Sequence, residues 1–195
     1  MDALDVLIKR QSPVKLGGPA PDDLEIAAMY RAAIRAPDHG KLKPWRIRVL
    51  RGAAIAAFGE VLVEALRRRE PGALPAQLDR EKQKAARAPL IIVVGAHLLH
   101  GNKIPEIEQT LAAGAAAQNI VLAAHAQGFG ALWRTGAPAY DNYVKEALGF
   151  APDDQIVGII YIGTPTELPG PLVDTEPDEC VSEWMGPGAL EAIAL

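Results

Sequence analysis

The sequence predicts an α+β domain rather than a parallel doubly wound sheet. Two apolar runs of strand length, Pro89 to Ala96 and Ile156 to Ile162, and one alternating run, Trp45 to Leu50, are separated by segments with helical signatures. The connections between these strands do not carry one helix each, as successive β-α-β units require, so helices and strands form separate layers. At 195 residues the chain suits one domain that buries roughly 70% of the surface of its unfolded form.

Asp2 to Arg10 reads as a short helix, with Asp2 as N-cap, Leu4, Leu7 and Ile8 on one face, and Lys9 and Arg10 in the last turn. Pro13 and Gly17-Gly18-Pro19 then break the chain. A second helix starts near Pro21-Asp22 and runs to Arg35, where Pro37 stops it. Trp45 to Leu50 alternates apolar and basic residues, as a half-buried strand does. Ala53 to Arg69 is helical and ends in Arg67-Arg68-Arg69. Glu106 to Gln127 is the longest helical stretch, rich in alanine from Ala112 to Ala126. Side chains that small let neighbouring backbones approach, which places this helix mid-domain or at a subunit interface. Gly128 ends it and Gly130 marks a bend. Pro138 to Leu148 reads as one more helix. Residues 1–170 make the domain, and 171–195 an acidic, Pro/Gly-rich extension.

The formal net charge of −4 argues against a nucleic-acid partner, since phosphate binders are usually basic. From Glu146 to Leu195 there is no Lys or Arg, so an anionic ligand must be held by the first three quarters of the chain. The one cysteine, Cys180, excludes an intramolecular disulfide and lies among acids that disfavour a thiolate; it reads as inert. Met-Asp-Ala-Leu-Asp lacks the basic flank of a signal peptide, and Leu90 to Val94 is too short to span a bilayer. No membrane association is expected, and the expected location is the cytoplasm.

Gly128-Phe-Gly-Ala-Leu-Trp133 fails as a dinucleotide fingerprint, because the third glycine is missing and the motif follows a helix. His97, His100, Glu106 and Glu108 could be drawn as a metal site, but their spacing gives no reason to converge and a polar loop is the better reading. No metal is expected. His125 reads as a satisfied interior or interface histidine. Arg10-Gln11-Ser12 is a compact donor set for a phosphate at a helix-to-loop junction. Arg35-Ala-Pro-Asp-His39 and Trp133-Arg134-Thr135-Gly136 repeat the theme of charge, turn and ring. Three such loops suit a planar anionic cofactor better than a metal or a nucleophile.

These segments resemble the nitroreductase superfamily, in its short single-domain NAD(P)H branch. The likeness covers about Met1 to Pro165. It rests on Asp2-Ala-Leu, Arg10-Gln-Ser12, Arg35-Ala-Pro-Asp-His39 with Pro44-Trp45, Ala126-Gln-Gly-Phe-Gly, Trp133-Arg-Thr-Gly136 and Val157 to Pro165, in that order. The resemblance implies a mixed, largely antiparallel sheet flanked by helices, in a homodimer with FMN at the subunit interface. Arg10, Gln11 and Ser12 would meet the phosphate and ribityl chain. Arg35 and His39 would line the flavin, and Trp133, Arg134 and Thr135 would close the site from the partner subunit. Ala123, Ala124, His125, Ala126, Gln127 and Gly128 would meet the nicotinamide nucleotide. Three departures shift phosphate binding onto Arg10, with Lys15 or Lys41 as substitutes. Val14 stands where a basic residue is usual, Lys41 and Lys43 stand before Pro-Trp, and no Lys or Arg follows the last Gly-x-Pro.

The activity implied is hydride transfer from NAD(P)H through flavin N5 to an acceptor such as a nitroaromatic or quinone, with no protein acid or base required. The alternatives are a non-turnover flavin-storage or redox-sensing protein, and a metal hydrolase built on His97, His100 and Glu106.

Overall fold

The structure, a computed structural model, describes residues 2–167, 170–172 and 181–192. Helix α1 (Ala3–Lys9) is capped as expected, the Asp2 carboxylate accepting from the Leu4 N–H at 2.9 Å. Helix α2 (Asp23–Ala33) opens with a reciprocal capping box, in which Asp22 accepts from the Glu25 N–H and Glu25 accepts from the Asp22 N–H.

The sheet is built around β5 (Gln155–Pro165). On one side β5 pairs with β3 (Leu90–Ala96), which pairs with the edge strand β2 (Trp45–Arg51). On its other side two short strands lie end to end: β4 (Gly130–Arg134) against residues Ile159–Gly163, and β1 (Leu16–Gly17) against Thr164 and Pro165. Every described pair in this sheet is antiparallel.

β3 is apolar without a break because both of its faces are buried. Ile91 and Val93 join Phe58, Leu62, Leu132, Ile159 and Tyr161 beneath α3 (Ala53–Arg69) and α4 (Pro75–Ala85). Leu90, Ile92 and Val94 join Ile120, Ala124, Ala131, Ile160 and Ile162 beneath α2 and α5 (Glu106–Ala126). The alanines of α5 do what their size predicts: Ala113, Ala116, Ala117 and Ala124 are fully buried, and the helix closes onto the sheet.

Several elements differ from the sequence reading. α4 was not legible, because Pro75–Ala85 is strongly polar and presents little apolar stripe. It packs on α3: a β-carbon on Gly59 would lie 3.3 Å from the Lys82 carbonyl oxygen, so the glycine lets the two helices approach closely without strain. Gly130 starts a strand rather than a bend. The helix expected over Pro138–Leu148 is two, α6 (Ala137–Tyr140) and α7 (Asn142–Ala147), divided at Asp141, which caps α7 through the N–H groups of Tyr143 and Val144. Within the acidic extension, β6 (Ser182–Gly186) and β7 (Ala189–Ala192) form an exposed hairpin; Cys180 lies outside the described residues. Among the described residues no helix is long and apolar enough to cross a membrane.

Candidate functional site

The outer edge of β4 joins two of the predicted loops. A β-carbon on Gly130 would stand 2.5 Å from Pro13 Cγ and 2.6 Å from Leu16 Cδ2. The segment directly after Arg10-Gln11-Ser12 is therefore pressed against the start of β4, and Trp133-Arg134-Thr135 occupies its end. Five residues of strand, at about 3.3 Å each, separate the two by roughly 16 Å. Both belong to one chain, so the same subunit carries the two ends of this edge. Among the described residues β4 pairs only with β5, leaving its outer edge open.

At the first end, Arg10 Nη1 donates to Ser12 Oγ at 3.0 Å and Gln11 Nε2 donates to the Gly170 carbonyl at 2.9 Å. Gln11, Ser12, Lys15 and Glu167 line a small cavity here. Lys15 Nζ lies 2.5 Å from Glu167, so its charge is already answered. Arg10 has no carboxylate partner among the described residues and is the open cation at this end.

At the second end a cavity of about 370 Å³ has an apolar floor of Leu62, Ile159 and Tyr161, a wall running from Trp133 to Pro138, and a rim of Lys84, Arg87 and Arg134. The Lys84 ammonium is tied to Glu81 at 2.5 Å, whose other carboxylate oxygen is buried without a partner among the described residues. Arg87 and Arg134 have no carboxylate partner among the described residues. Burial pushes the Tyr161 hydroxyl pKa up, against the opposing pull of the Arg87 charge, so the floor carries no negative charge at neutral pH. The Trp133 indole donates to the Val157 carbonyl at 3.0 Å, which fixes its plane. Lys84, Arg87 and Tyr161 had no sequence signal: the two cations sit on or just after the unread α4, and Tyr161 reads as strand core.

Arg35 lies apart from both ends, in an apolar groove lined by Ala3, Val6 and Leu7 of α1 and by Asn119, Leu122, Ala123 and Ala126 of α5. Two of the residues expected to meet a nicotinamide nucleotide thus share a groove with Arg35. Ala124 is fully buried, and the Gln127 side-chain amide donates to the carbonyls of Ala123 and Glu25. Gly128 ends the helix at φ 88°. His125, read as satisfied, has a buried Nε2 without a hydrogen-bond partner among the described residues.

His39 sits in a short 3-10 turn (His39–Lys41), and its Nδ1 lies 2.6 Å from Glu108 Oε2 in the first turn of α5. Thr110, two residues further along α5, lines a cavity with Thr135, Tyr140 and Val157. Side chains two residues apart on a helix point about 200° apart. Glu108 and His39 therefore occupy the side of α5 away from the Trp133 to Thr135 end.

His97 and His100 contact different carboxylates, and His100 Nε2 also lies 3.6 Å from Asp153. His97 Nδ1 contacts Asp154 at 2.8 Å and His100 Nδ1 contacts Glu106 at 2.7 Å. The hydrogen bond to Glu106 raises the His100 pKa. Among the described residues no three His, Cys, Asp or Glu side chains are grouped to hold a metal ion.

The sequence profile described as "Nitroreductase family" matches residues 9–164. "Putative NAD(P)H nitroreductase YdjA" of Escherichia coli strain K12 is 41% identical over 170 residues, covering 85% of this chain and 89% of that protein. The chain belongs to the nitroreductase family. Its fold is that of other nitroreductase-family proteins. A crystal structure of a "Nitroreductase-like Family Protein" from Bacillus cereus superimposes with a TM-score of 0.83 at 22% identity, covering 95% of this chain and 97% of that one. A "putative nitroreductase in complex with fmn" from Desulfovibrio desulfuricans superimposes with a TM-score of 0.72 at 22% identity, covering 95% and 99%.

Proposed function

We propose that this nitroreductase-family chain is an FMN-dependent oxidoreductase that carries hydride equivalents from NAD(P)H to a small oxidised acceptor, such as a nitroaromatic or a quinone, and that it works as a homodimer. The observation that carries the reading is the open β4 edge, with an unpaired cation and a hydroxyl at one end and two unpaired guanidinium groups over an apolar floor at the other. Such a donor set fits a ligand with a phosphate end and a planar, electron-rich end. The names of the relatives, NAD(P)H nitroreductases and an FMN complex, point the same way.

When bound, FMN would supply the hydride-transfer chemistry. Arg10 and Ser12 hold the phosphate. Gln11, already bonded to Gly170, ties the loop down beside it. The Trp133 backbone and Thr135 would seat the ring, and Arg87 and Arg134 would lie beside it, where cationic donors favour its more negative form. Arg35 and His39, on the far side of α5, reach the ring bound by a second copy of the chain. The apolar groove that includes Ala123 and Ala126 is the surface across which the two copies meet and beside which the nicotinamide nucleotide enters.

Titration of the purified protein with FMN tests the reading. Flavin fluorescence should be quenched at about one FMN per chain, and anaerobic NADH or NADPH should bleach the bound flavin. A protein that leaves FMN fluorescence unchanged overturns the assignment. One that binds FMN but is bleached no faster than free flavin is a flavin-storage or sensing protein instead.

A further inference from the structure

We propose that Glu108 is a positioning residue that fixes the His39 ring with Nδ1 turned to its own carboxylate and Nε2 presented to the flavin held by the second copy. This rests on the reading of His39 as a residue of that site.

The turn that carries His39 is made without Glu108. The Asp38 carboxylate accepts from the N–H groups of Leu42 at 3.2 Å and Lys43 at 2.7 Å, and Gly40 and Lys41 take positive φ of 74° and 56°. A β-carbon on Gly40 would lie 3.2 Å from Ile104 Cγ1, so the turn is already pressed against the loop before α5. With the backbone fixed by these contacts, the 2.6 Å contact from His39 Nδ1 to Glu108 decides the orientation and tautomer of the ring rather than the path of the chain. A carboxylate accepting from Nδ1–H keeps the proton there and leaves Nε2 as the ring's free acceptor. A purely structural ion pair here would contribute little, since the two side chains are 66% and 41% exposed.

The test uses the full-length dimer labelled with ¹⁵N, in mildly alkaline buffer. Long-range ¹H–¹⁵N correlations of His39 should show the Nδ1–H tautomer in the wild type and lose it in Glu108→Ala. The same variant should bind FMN roughly three- to tenfold more weakly while keeping its far-UV spectrum. Glu108→Gln, whose amide oxygen still accepts, should recover most of the affinity. Glu108→Ala combined with His39→Ala should bind no worse than His39→Ala alone. If FMN shifts the His39 resonances but Glu108→Ala binds FMN like the wild type, Glu108 does not position the ring and the proposal is overturned. If FMN leaves those resonances unmoved in the wild type, His39 is no part of the site and the reading beneath the proposal falls with it.

Discussion

The Trp133 indole lies on Gly158, and there is no room between them: a β-carbon at 158 would stand 2.6 Å from the indole Nε1. Both residues are in paired strands, so neither backbone can retreat. Gly158→Ala should push the indole off the Val157 carbonyl and shift the β4 backbone that walls the ring cavity on the other face of the sheet. Overpacking of this kind costs about 1–3 kcal/mol of stability. The expected readouts are a red-shifted tryptophan emission and FMN affinity lowered about tenfold. Unchanged emission and affinity would mean that Trp133 does not shape the ring end.

The balance of what the sequence disclosed follows the same local logic. β3 and α5 were legible because composition alone betrays them: a strand buried on both faces must be apolar throughout, and a helix wedged onto a sheet must be small. Arg10, Ser12 and Trp133 stood out because each pairs chemistry with a chain break. Arg87 and Lys84 did not, since α4 owes its existence to packing on α3 at Gly59 rather than to any apolar stripe of its own. The closeness of the Ser12 loop to β4 was not readable either. It depends on β1 and β4 sharing one edge of β5, a pairing between residues far apart in sequence.

The phosphate end gives the next prediction. Arg10 is free of any carboxylate among the described residues, whereas Lys15 is held by Glu167. A charge-assisted hydrogen bond is worth about 1.5–3 kcal/mol. Arg10→Ala should therefore weaken FMN binding roughly ten- to a few-hundred-fold, at about 1.4 kcal/mol per factor of ten. Lys15→Ala should do much less. Riboflavin, lacking the phosphate, should bind wild type and Arg10→Ala alike. Equal losses for both ligands would make Arg10 structural.

Assembly is tested at the α1–α5 groove. Leu4, Leu7 and Ile8 are 65%, 55% and 69% exposed, and Leu111 on α5 is 64% exposed. That much apolar surface on neighbouring helices calls for a cover. Light scattering at micromolar concentration should give twice the chain mass of 20.7 kDa, and Leu7→Glu should lower it toward one chain. A wild-type protein that runs as a single chain removes the two-copy site.

His100 gives a prediction in pH. Its hydrogen bond to the Glu106 carboxylate raises its pKa above the ordinary 6.5, so the folded state binds the proton more tightly than the unfolded state does. The stabilisation from this pair is present below pH 6.5 and is lost as pH rises through the raised value. NMR titration should place the His100 midpoint higher in the wild type than in Glu106→Gln. Coincident midpoints would remove the interaction.

Arg87 is the sharpest test of the ring end, because affinity and redox potential separate there. A cation beside the ring's carbonyl edge favours whichever form of the cofactor carries more negative charge, which is the reduced one. Replacing Arg87 by Gln should therefore weaken the reduced form more than the oxidised form. If the lost interaction is worth about 1.5–3 kcal/mol, the midpoint potential should fall by roughly 30–60 mV, at 30 mV per 1.4 kcal/mol for a two-electron couple. Arg134→Gln should act in the same direction. Lys84→Gln should shift the potential far less, because Glu81 already neutralises that ammonium at 2.5 Å. Dye-equilibration titrations of the three variants give the comparison directly. A Lys84 effect equal to that of Arg87 would show that net charge in the cavity, not the unpaired guanidinium, governs the potential. An unchanged potential in Arg87→Gln with wild-type FMN affinity would place the ring's carbonyl edge elsewhere along β4.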